Sequence, residues 1–292
     1  MKTTSRTAGN ERMADKNIAI LGGRGMLGSD LVIASRQQGF NISVFDLPEF
    51  DITDPAQLQK VVSTHKIVVN CAAYTDVEEA ETNTDLAYRV NAEAVGRLGT
   101  LAKQTDTWVL HISTDFVFDG KSNRPYVETD MPNPTNVYGR TKLTGERLLV
   151  ESSCRHCIIR IQWTYGLGGD NFVTKLYKRA RSGKKLSVVD DQTGSPTATI
   201  EVAKVICTFL HKKPEGLFHF ASAGCVSRFG MAKFIFDKLN MNVNLSPCKT
   251  SDYPAKAARP LNSCFDCAKI STLLDEPIEP WQQPLERFLR QL

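Results

Sequence analysis

The chain has 292 residues, of which 36 are lysine or arginine and 32 are aspartate or glutamate, so its formal net charge is +4. This length suits a nucleotide-binding α/β core with a smaller lobe, and so mild and evenly spread a charge gives no footprint for nucleic acid. No apolar run is long enough to cross a bilayer and the polar N terminus lacks the apolar segment of a secretory signal, so we expect a cytoplasmic protein without membrane contact.

Residues 1–15 are polar and have no hydrophobic period, so we predict an N-terminal extension outside the fold. From Lys16 onward, short β-branched runs alternate with longer segments of helical period, which is typical of βαβ units. The predicted strands are Asn17–Leu21, Ile42–Phe45, Ile67–Asn70, Trp108–Ile112, Cys157–Ile161, Leu186–Val189 and Leu217–Phe220. The predicted helices are Met26–Gln38, Pro55–Ser63, Leu86–Gln104, a segment beginning near Tyr138, Phe229–Leu239 and Trp281–Leu292.

This alternation predicts an α/β fold with a doubly wound parallel sheet of the Rossmann type. After about Gly166 the alternation loosens and prolines become frequent. We therefore predict that residues 16–165 form mainly the dinucleotide-binding domain. Residues 166–292 are predicted to form mainly a smaller C-terminal substrate-binding lobe, with segments that return to the sheet.

Eight cysteines are too few for a disulfide scaffold in a chain of this size, and several lie in apolar stretches. Two CxxC spacings, Cys154 with Cys157 and Cys264 with Cys267, could form a four-thiolate zinc site. However, Cys157 begins an apolar strand and the two motifs fall in different parts of the predicted fold. We therefore expect free thiols and no metal.

A glycine-rich turn directly follows the first predicted strand and opens the first predicted helix. It reads Gly22-Gly23-Arg24-Gly25-Met26-Leu27-Gly28. Glycines at this spacing permit a tight turn and close approach of a pyrophosphate to the helix N terminus. An ordinary strand-to-helix turn is the alternative, but the strand before it and the amphipathic helix after it favour a dinucleotide site.

The identity of the dinucleotide rests on two residues with opposite implications. Asp46 directly follows the second predicted strand and lies 18 residues after Gly28. An acidic side chain about 20 residues after the glycine turn binds the adenosine ribose, so Asp46 favours NADH. Arg24 in the glycine turn could neutralise the 2′-phosphate of NADPH. We therefore predict NADPH or NADH as cofactor, while a simple turn-forming role for Asp46 stays open.

Tyr138 and Lys142 form a Tyr-x-x-x-Lys pair at the start of a predicted helix, where their side chains share one face. A free tyrosine has a pKa of about 10, and an ammonium a few ångströms away would lower it. Such a pair alone is usually structural. Here Thr114 ends an earlier strand, and because the C-terminal ends of parallel strands converge on the ligand crevice, its hydroxyl and the glycine turn should meet the pair there.

Together these residues resemble the extended short-chain dehydrogenase/reductase family, from the glycine turn to about Asp266. Five stretches carry the resemblance, in order: Val69–Thr75, Ser113–Gly120, Asn136–Lys142, Asp191–Thr197 and Arg259–Ser263. They are similar to reductases of nucleotide-linked 4-keto-6-deoxy sugars. The resemblance implies hydride transfer from NADH or NADPH to the C4 keto group of dTDP-4-dehydro-6-deoxy-L-mannose.

The resemblance also implies residue roles. Tyr138 would be the general acid, Lys142 would tune it and hold the nicotinamide ribose, and Thr114 would bind the substrate carbonyl. Cofactor contacts are expected at Gly22, Gly25, Met26, Leu27, Gly28, Asp46, Asp51, Ile52, Ala73, Tyr74 and Thr75, and at the catalytic pair. Substrate contacts are expected at Thr114, Asp115 and Trp163, although a tryptophan can equally be a core residue.

Two other functions share these motifs. The first is a nucleotide-sugar epimerase or dehydratase, but a dehydratase of that kind needs added carboxylates beside the threonine, and Thr114-Asp115 is followed here by Phe116. The second is a non-catalytic subunit similar to the β subunit of methionine adenosyltransferase, which can keep the same three residues. The expected partner is a nucleotide-sugar substrate, and a homodimer is a candidate assembly.

Overall fold

A parallel six-stranded sheet forms the centre of the computed structural model, which describes residues 17–252 and 255–292. The predicted extension at residues 1–15 lies outside the described residues. The strands are β1 (Asn17–Leu21), β2 (Asn41–Phe45), β3 (Ile67–Asn70), β4 (Trp108–Thr114), β5 (His156–Ile161), β6 (Thr164–Tyr165), β7 (Leu186–Val189), β8 (Thr193–Gly194), β9 (Thr197–Ala198), β10 (Gly216–Phe220), β11 (Val226–Ser227) and β12 (Leu245–Cys248).

The α-helices alternate with the strands of the central sheet and then dominate the C-terminal part. They are α1 (Met26–Gln37), α2 (Pro55–Thr64), α3 (Val77–Ala80), α4 (Thr84–Tyr88), α5 (Ala94–Thr105), α6 (Val137–Glu151), α7 (Phe172–Ala180), α8 (Thr199–Lys212), α9 (Arg228–Lys238), α10 (Ala268–Ser271) and α11 (Gln282–Leu289). Among these described helices, none is long and apolar enough to cross a membrane.

The order of the sheet is β10-β5-β4-β3-β1-β2, and every neighbouring pair is parallel. The chain runs from β1 to β2 on one side and then crosses to β3 on the other side of β1. A ligand crevice forms at such a switch point, outside the C-terminal ends of the strands. The predicted doubly wound fold is confirmed, and the crevice lies between the ends of β1 and β3.

Both faces of the sheet are covered, which explains the continuous apolar runs in the strands. On one face, Ile18 and Ile20 pack in a cluster with residues of α1 and α8. On the other face, Ala19 and Leu21 pack with residues of α2 and α5. A third cluster joins α7, α9 and α11 to β7 outside the sheet.

The return of the C-terminal half to the sheet is visible in β10 and in α8, which packs on α1. The division of the chain near residue 165 into two domains stays a prediction. Strand β4 continues two residues past its predicted end at Ile112, because Ser113 and Thr114 pair with Arg160 and Ile161 of β5.

The predicted helix Leu86–Gln104 is interrupted by a π-helical segment at Arg89–Glu93, between α4 and α5. Buried Asn91 lies in this segment. Its side chain accepts a hydrogen bond from the backbone nitrogen of Tyr74 at 2.8 Å and donates to the Thr141 hydroxyl at 3.1 Å. Through these two contacts the π segment joins the loop after β3 to α6, and such segments are frequent at functional sites.

The expectation that all cysteines are free thiols is wrong for one pair. Cys225 and Cys264, which are 39 residues apart in sequence, form a disulfide, while the other six cysteines are free. Neither their spacing nor their neighbours point to this pair, which is brought together only by the packing of two loops. Among the described residues there is no cluster of three or more His, Cys, Asp or Glu side chains suited to a metal ion.

Candidate active site

A cavity of about 790 Å³ opens at the switch point of the sheet. All of the sequence-predicted site residues except Tyr74 line it. Tyr74 instead packs with Val137 beside Tyr138, and its backbone is held by Asn91. The structure thus brings the predicted cofactor and catalytic residues to one cavity and leaves one aromatic side chain out.

The glycine turn closes tightly over the end of β1. Gly22 has a φ of +72°, and a Cβ atom there would lie 2.6 Å from the Ala72 backbone nitrogen, so only glycine fits. A Cβ atom at Gly28 would lie 2.1 Å from the Gly22 carbonyl oxygen. The N-cap of α1 is Gly25, which has no side chain to cap the helix, so the first amides of α1 are available to an anion in the cavity.

Asp46 anchors this turn. Its carboxylate accepts hydrogen bonds from the backbone nitrogens of Arg24 at 2.7 Å and Leu47 at 2.9 Å. The Arg24 guanidinium lies on the rim, donates to the Leu47 carbonyl at 3.1 Å and pairs with Glu49 at 2.5 Å. The side chain of Arg24 is 56 % exposed, so it can turn toward a ribose phosphate beside Asp46.

The predicted catalytic pair lies on the first two turns of α6, whose N-cap is Asn136. The Asn136 side chain accepts a hydrogen bond from the Gly139 backbone nitrogen at 2.7 Å and so caps the helix. The Tyr138 ring packs edge-on against Phe116, with ring centroids 5.5 Å apart, and lines the same cavity as Thr114. The Thr114 hydroxyl donates to Asp115 Oδ1 at 3.1 Å and lies close enough to the phenol to affect its pKa.

The expected lowering of the Tyr138 pKa by Lys142 does not occur in this structure. Burial raises the pKa of Tyr138 to about 12, against the opposing effect of the Thr114 hydrogen bond. The reason is the position of the Lys142 amine, which donates to the Ile112 carbonyl at 2.7 Å and lies 3.3 Å from His111 Nε2. Tyr138 therefore keeps its proton at neutral pH, as a group that donates a proton must.

Lys142 is only 2 % exposed, and burial lowers the pKa of its amine to about 8. Asp115 is likewise buried, and burial raises the pKa of its carboxyl against hydrogen bonds from Ser263 and Thr114. Its Oδ2 atom has no hydrogen-bond partner among the described residues. An unpartnered acceptor is thus buried next to the threonine hydroxyl.

A second cavity, of about 490 Å³, continues from the first toward α7, β7 and α9, which are together named the lobe. The two cavities share four lining residues: Asp115, Phe116, Trp163 and Arg228. Trp163 adopts a φ of +45°, and a Cβ atom at Gly194 would lie 2.5 Å from its indole ring. The ring is thereby fixed at the junction, between the strand ends and the lobe.

Cationic side chains dominate the charge of this second cavity. The Arg228 guanidinium lies 3.5 Å from the centroid of the Trp163 ring and 4.8 Å from that of Phe172. Lys175 and Arg179 of α7 line the same space, as does Arg259, which pairs with Glu78. In the described part of the chain, no ion pair is formed by Arg228, Lys175 or Arg179. Among the described residues that line it, Asp115 is the one acidic side chain.

Comparison with known proteins identifies the family. The family described as the RmlD substrate binding domain matches residues 16–292. This chain belongs to the RmlD family. It is 36 % identical to the dTDP-4-dehydrorhamnose reductase of Aggregatibacter actinomycetemcomitans, covering 93 % of this chain and 97 % of that protein. It is 32 % identical to the enzyme of the same name from Escherichia coli K12, covering 94 % and 98 %.

A solved structure agrees with this membership of the RmlD family. The dTDP-4-dehydrorhamnose reductase of Bacillus anthracis in complex with NADP superimposes with a TM-score of 0.90 at 34 % identity, covering 94 % of this chain and 99 % of that one. The resemblance on which the sequence-based predictions rest is therefore confirmed.

The sequence patterns nevertheless did not indicate several residues of the two cavities and their surroundings. Asn91 gave no signal because it lies inside a predicted helix. Arg228, Lys175 and Arg179 are ordinary helix residues in sequence, and only the packing of the lobe turns them to one cavity. Asn70 and His111, the two buried polar residues behind Lys142, were visible as polar interruptions of apolar strands.

Proposed function

We propose that this chain is a reductase that transfers hydride from NADPH or NADH to the C4 keto group of dTDP-4-dehydrorhamnose, giving dTDP-L-rhamnose. The observation that carries the proposal is the position of Tyr138, Thr114 and Lys142 where a dinucleotide-shaped cavity meets a cationic one. The names of the relatives agree with it, and the solved relative with NADP bound supports the nicotinamide cofactor.

The residues present fit such a cofactor. The amides of the glycine turn and of the α1 N terminus would hold its pyrophosphate, and the segment Ala73–Thr75 would border its nicotinamide half. Asp51 and Ile52 line the opposite end of the cavity, where an adenine would lie. When bound, the reduced nicotinamide supplies the hydride, and the protein supplies position and a proton.

The chemistry of the protein residues follows from their hydrogen bonds. A keto oxygen placed between the hydroxyls of Thr114 and Tyr138 would accept a hydrogen bond from each, which stabilises the negative charge that develops there as hydride reaches C4. Tyr138 then gives its proton to that oxygen. Lys142 lines the same cavity and is the group that would return a proton to the phenol.

The cationic cavity supports a diphosphate carrier. Lys175, Arg179 and Arg228 are free to bind phosphate oxygens, which are recognised by charge-assisted hydrogen bonds from lysine and arginine. A sugar hydroxyl donating to the unpartnered Oδ2 of Asp115 would satisfy that atom and hold the hexose beside Thr114. Trp163 offers a flat apolar surface at the same junction.

Neither alternative function is favoured by an observation. Phe116, and not a carboxylate, contacts Tyr138 next to Thr114, which disfavours elimination of water. A regulatory subunit would leave the cationic cavity without a substrate. The predicted cytoplasmic location, the homodimer and the division into two domains stay predictions.

The test is consumption of NADPH or NADH by the purified protein with dTDP-4-dehydrorhamnose. We expect turnover with one of the two cofactors, and we expect Tyr138→Phe to lower kcat by about 10²–10⁴-fold with little loss of stability, because the variant loses only a hydroxyl and general acid catalysis is of that size. Tyr88→Phe, at an exposed tyrosine on α4, serves as the control. Full activity of Tyr138→Phe would refute the assignment of the acid. No turnover, together with a stable complex with an adenosyltransferase, would support the regulatory alternative.

A further inference from the structure

Two fully buried polar side chains lie directly behind the Lys142 amine. Asn70 of β3 and His111 of β4 are register partners in the sheet, and neither exposes any surface. Asn70 Nδ2 lies 3.1 Å from His111 Nδ1, and His111 Nε2 lies 3.3 Å from Lys142 Nζ. A continuous chain of hydrogen-bonding groups therefore leads from the backbone after β3 to the catalytic lysine.

The donor and acceptor roles in this series of hydrogen bonds are fixed at the end next to Ala72. The Ala72 backbone nitrogen donates to Asn70 Oδ1 at 3.1 Å, so the Asn70 amide must turn its nitrogen toward the histidine. That nitrogen is a donor, so His111 Nδ1 accepts and carries no proton. The proton of a neutral His111 ring is then on Nε2, which faces Lys142.

An N–H group that faces the lysine distinguishes the two forms of the amine. A neutral amine has a lone pair that accepts the Nε2 hydrogen, whereas an ammonium has only donors, so that two donors oppose each other. The Ile112 carbonyl accepts from either form. The series of hydrogen-bonding groups from Asn70 to His111 therefore disfavours the ammonium form of Lys142 more than burial alone does.

The other ionisable groups around Lys142 do not replace this effect. Burial keeps the His111 ring neutral by lowering its pKa well below the usual value, and it raises the pKa of the Cys71 thiol to about 12, so that this thiol is neutral too. Glu146, one turn further along α6, pairs with Arg160 of β5, and its charge acts in the opposite direction because it raises the pKa of Lys142. Tyr138 is a neutral phenol, and His156 of β5 pairs in register with Val109, two residues before His111.

We propose that Asn70 and His111 are positioning residues that fix the Lys142 amine and set its protonation state through the tautomer of the His111 ring. The proposal rests on the proposed function for the role of Lys142. After Tyr138 gives its proton to the keto oxygen, the tyrosinate takes a proton from the Lys142 ammonium, and the amine regains one from solvent. A lysine that releases its proton near neutral pH returns the phenol to its active form more readily than an ordinary lysine.

The first test measures the tautomer directly. In the full chain labelled with ¹⁵N-histidine, the nitrogen shifts of His111 should show the proton on Nε2, and the signals are assigned by their loss in His111→Gln. In Asn70→Asp, a carboxylate oxygen replaces the donor, so the proton should move to Nδ1. His219 is a buried histidine that takes no part in this series of hydrogen bonds, so its signals are the internal control and should not move. A proton on Nδ1 in the unaltered protein would overturn the proposal.

The second test measures the lysine. With ¹³Cε-lysine labelling, the Lys142 signal, identified by its loss in Lys142→Met, should titrate higher in Asn70→Asp by about one pH unit, the size of one hydrogen bond to a charged group. The alkaline limb of kcat should move by the same amount. A tautomer that changes while the Lys142 titration stays in place would also overturn the proposal. Because both NMR readouts need no substrate, failure of the proposed reduction would be seen separately.

Discussion

Arg228 lies at the junction of the two cavities, since it lines both of them and stacks on Trp163. Burial lowers the pKa of its guanidinium to about 9, so it is charged at neutral pH. No ion pair of Arg228 is formed within residues 17–252 and 255–292. We predict that Arg228→Met weakens binding of the nucleotide sugar while leaving the binding of cofactor unchanged.

The size of the effect follows from the interactions lost. Methionine keeps an unbranched stem over the Trp163 ring, so folding loses only the cation–π contact, worth about 1–2 kcal/mol in a desolvated place. A phosphate oxygen would lose a hydrogen bond to a charged group, worth about 1.5–3 kcal/mol. That loss corresponds to roughly a 10- to 100-fold higher KM for the sugar. The catalytic hydroxyls are unchanged, so kcat should change much less.

The assay is steady-state reduction with the sugar and the cofactor varied in turn. Arg155→Met is the control, because Arg155 pairs with Glu215 on the surface away from both cavities. Thermal unfolding of both variants separates weaker binding from weaker folding. An unchanged KM for the sugar in Arg228→Met, or an equal rise in the KM of the cofactor, would refute the assignment of the cationic cavity to the substrate.

Two further predictions concern α6. Below its pKa of about 8 the Lys142 ammonium is the main form, and above it the proton is lost, so kcat should fall as pH rises through about 8. In Lys142→Arg this limb should be absent and kcat should be low at every pH, because arginine stays charged and does not give up its proton. A flat profile to high pH in the unaltered enzyme would contradict the role of Lys142. Arg160 donates to both carboxylate oxygens of Glu146 at 2.9 and 2.6 Å, with the side chains 3 % and 6 % exposed. Glu146→Leu should therefore lower the free energy of unfolding by about 3–5 kcal/mol, because it leaves a buried guanidinium unpaired. In urea unfolding, the double variant Glu146→Leu/Arg160→Met should recover most of that loss. Equal losses in the single and the double variant would show that the pair itself is not responsible.

The hydrophobic pattern was sufficient for the fold because the strands of a buried parallel sheet are continuous apolar runs. It gave the bounds of β1 and β3 correctly, and the glycine turn after β1 indicated a ligand crevice at their ends. It was less accurate where polar residues belong to regular elements. The predicted strand stopped at Ile112, although the backbone of Ser113 and Thr114 also pairs with β5.

Sequence reasoning brought the candidate catalytic residues to one cavity, but it did not give their electrostatics. A spacing of four residues places Tyr138 and Lys142 on one helix face, yet it does not show which acceptor the amine will choose. In the folded chain Lys142 bonds to the Ile112 carbonyl, and burial decides the pKa of both groups. Similarly, Lys175 and Arg179 look like an exposed helix face until the lobe packs around them.

The junction of the two cavities explains how a lobe can control chemistry on the sheet. Asp115 follows Thr114 at the end of β4 and accepts a hydrogen bond from the Thr114 hydroxyl at 3.1 Å, and Ser263 of the C-terminal loop, which lines the second cavity, lowers the pKa of its carboxyl. The Arg228 cation favours the ionised form of the same carboxyl. One buried carboxyl thus connects Thr114 to two elements that line the second cavity. Under the proposed function, a movement of that loop or of α9 would therefore act through Asp115 on Thr114, the residue that would bind the keto oxygen.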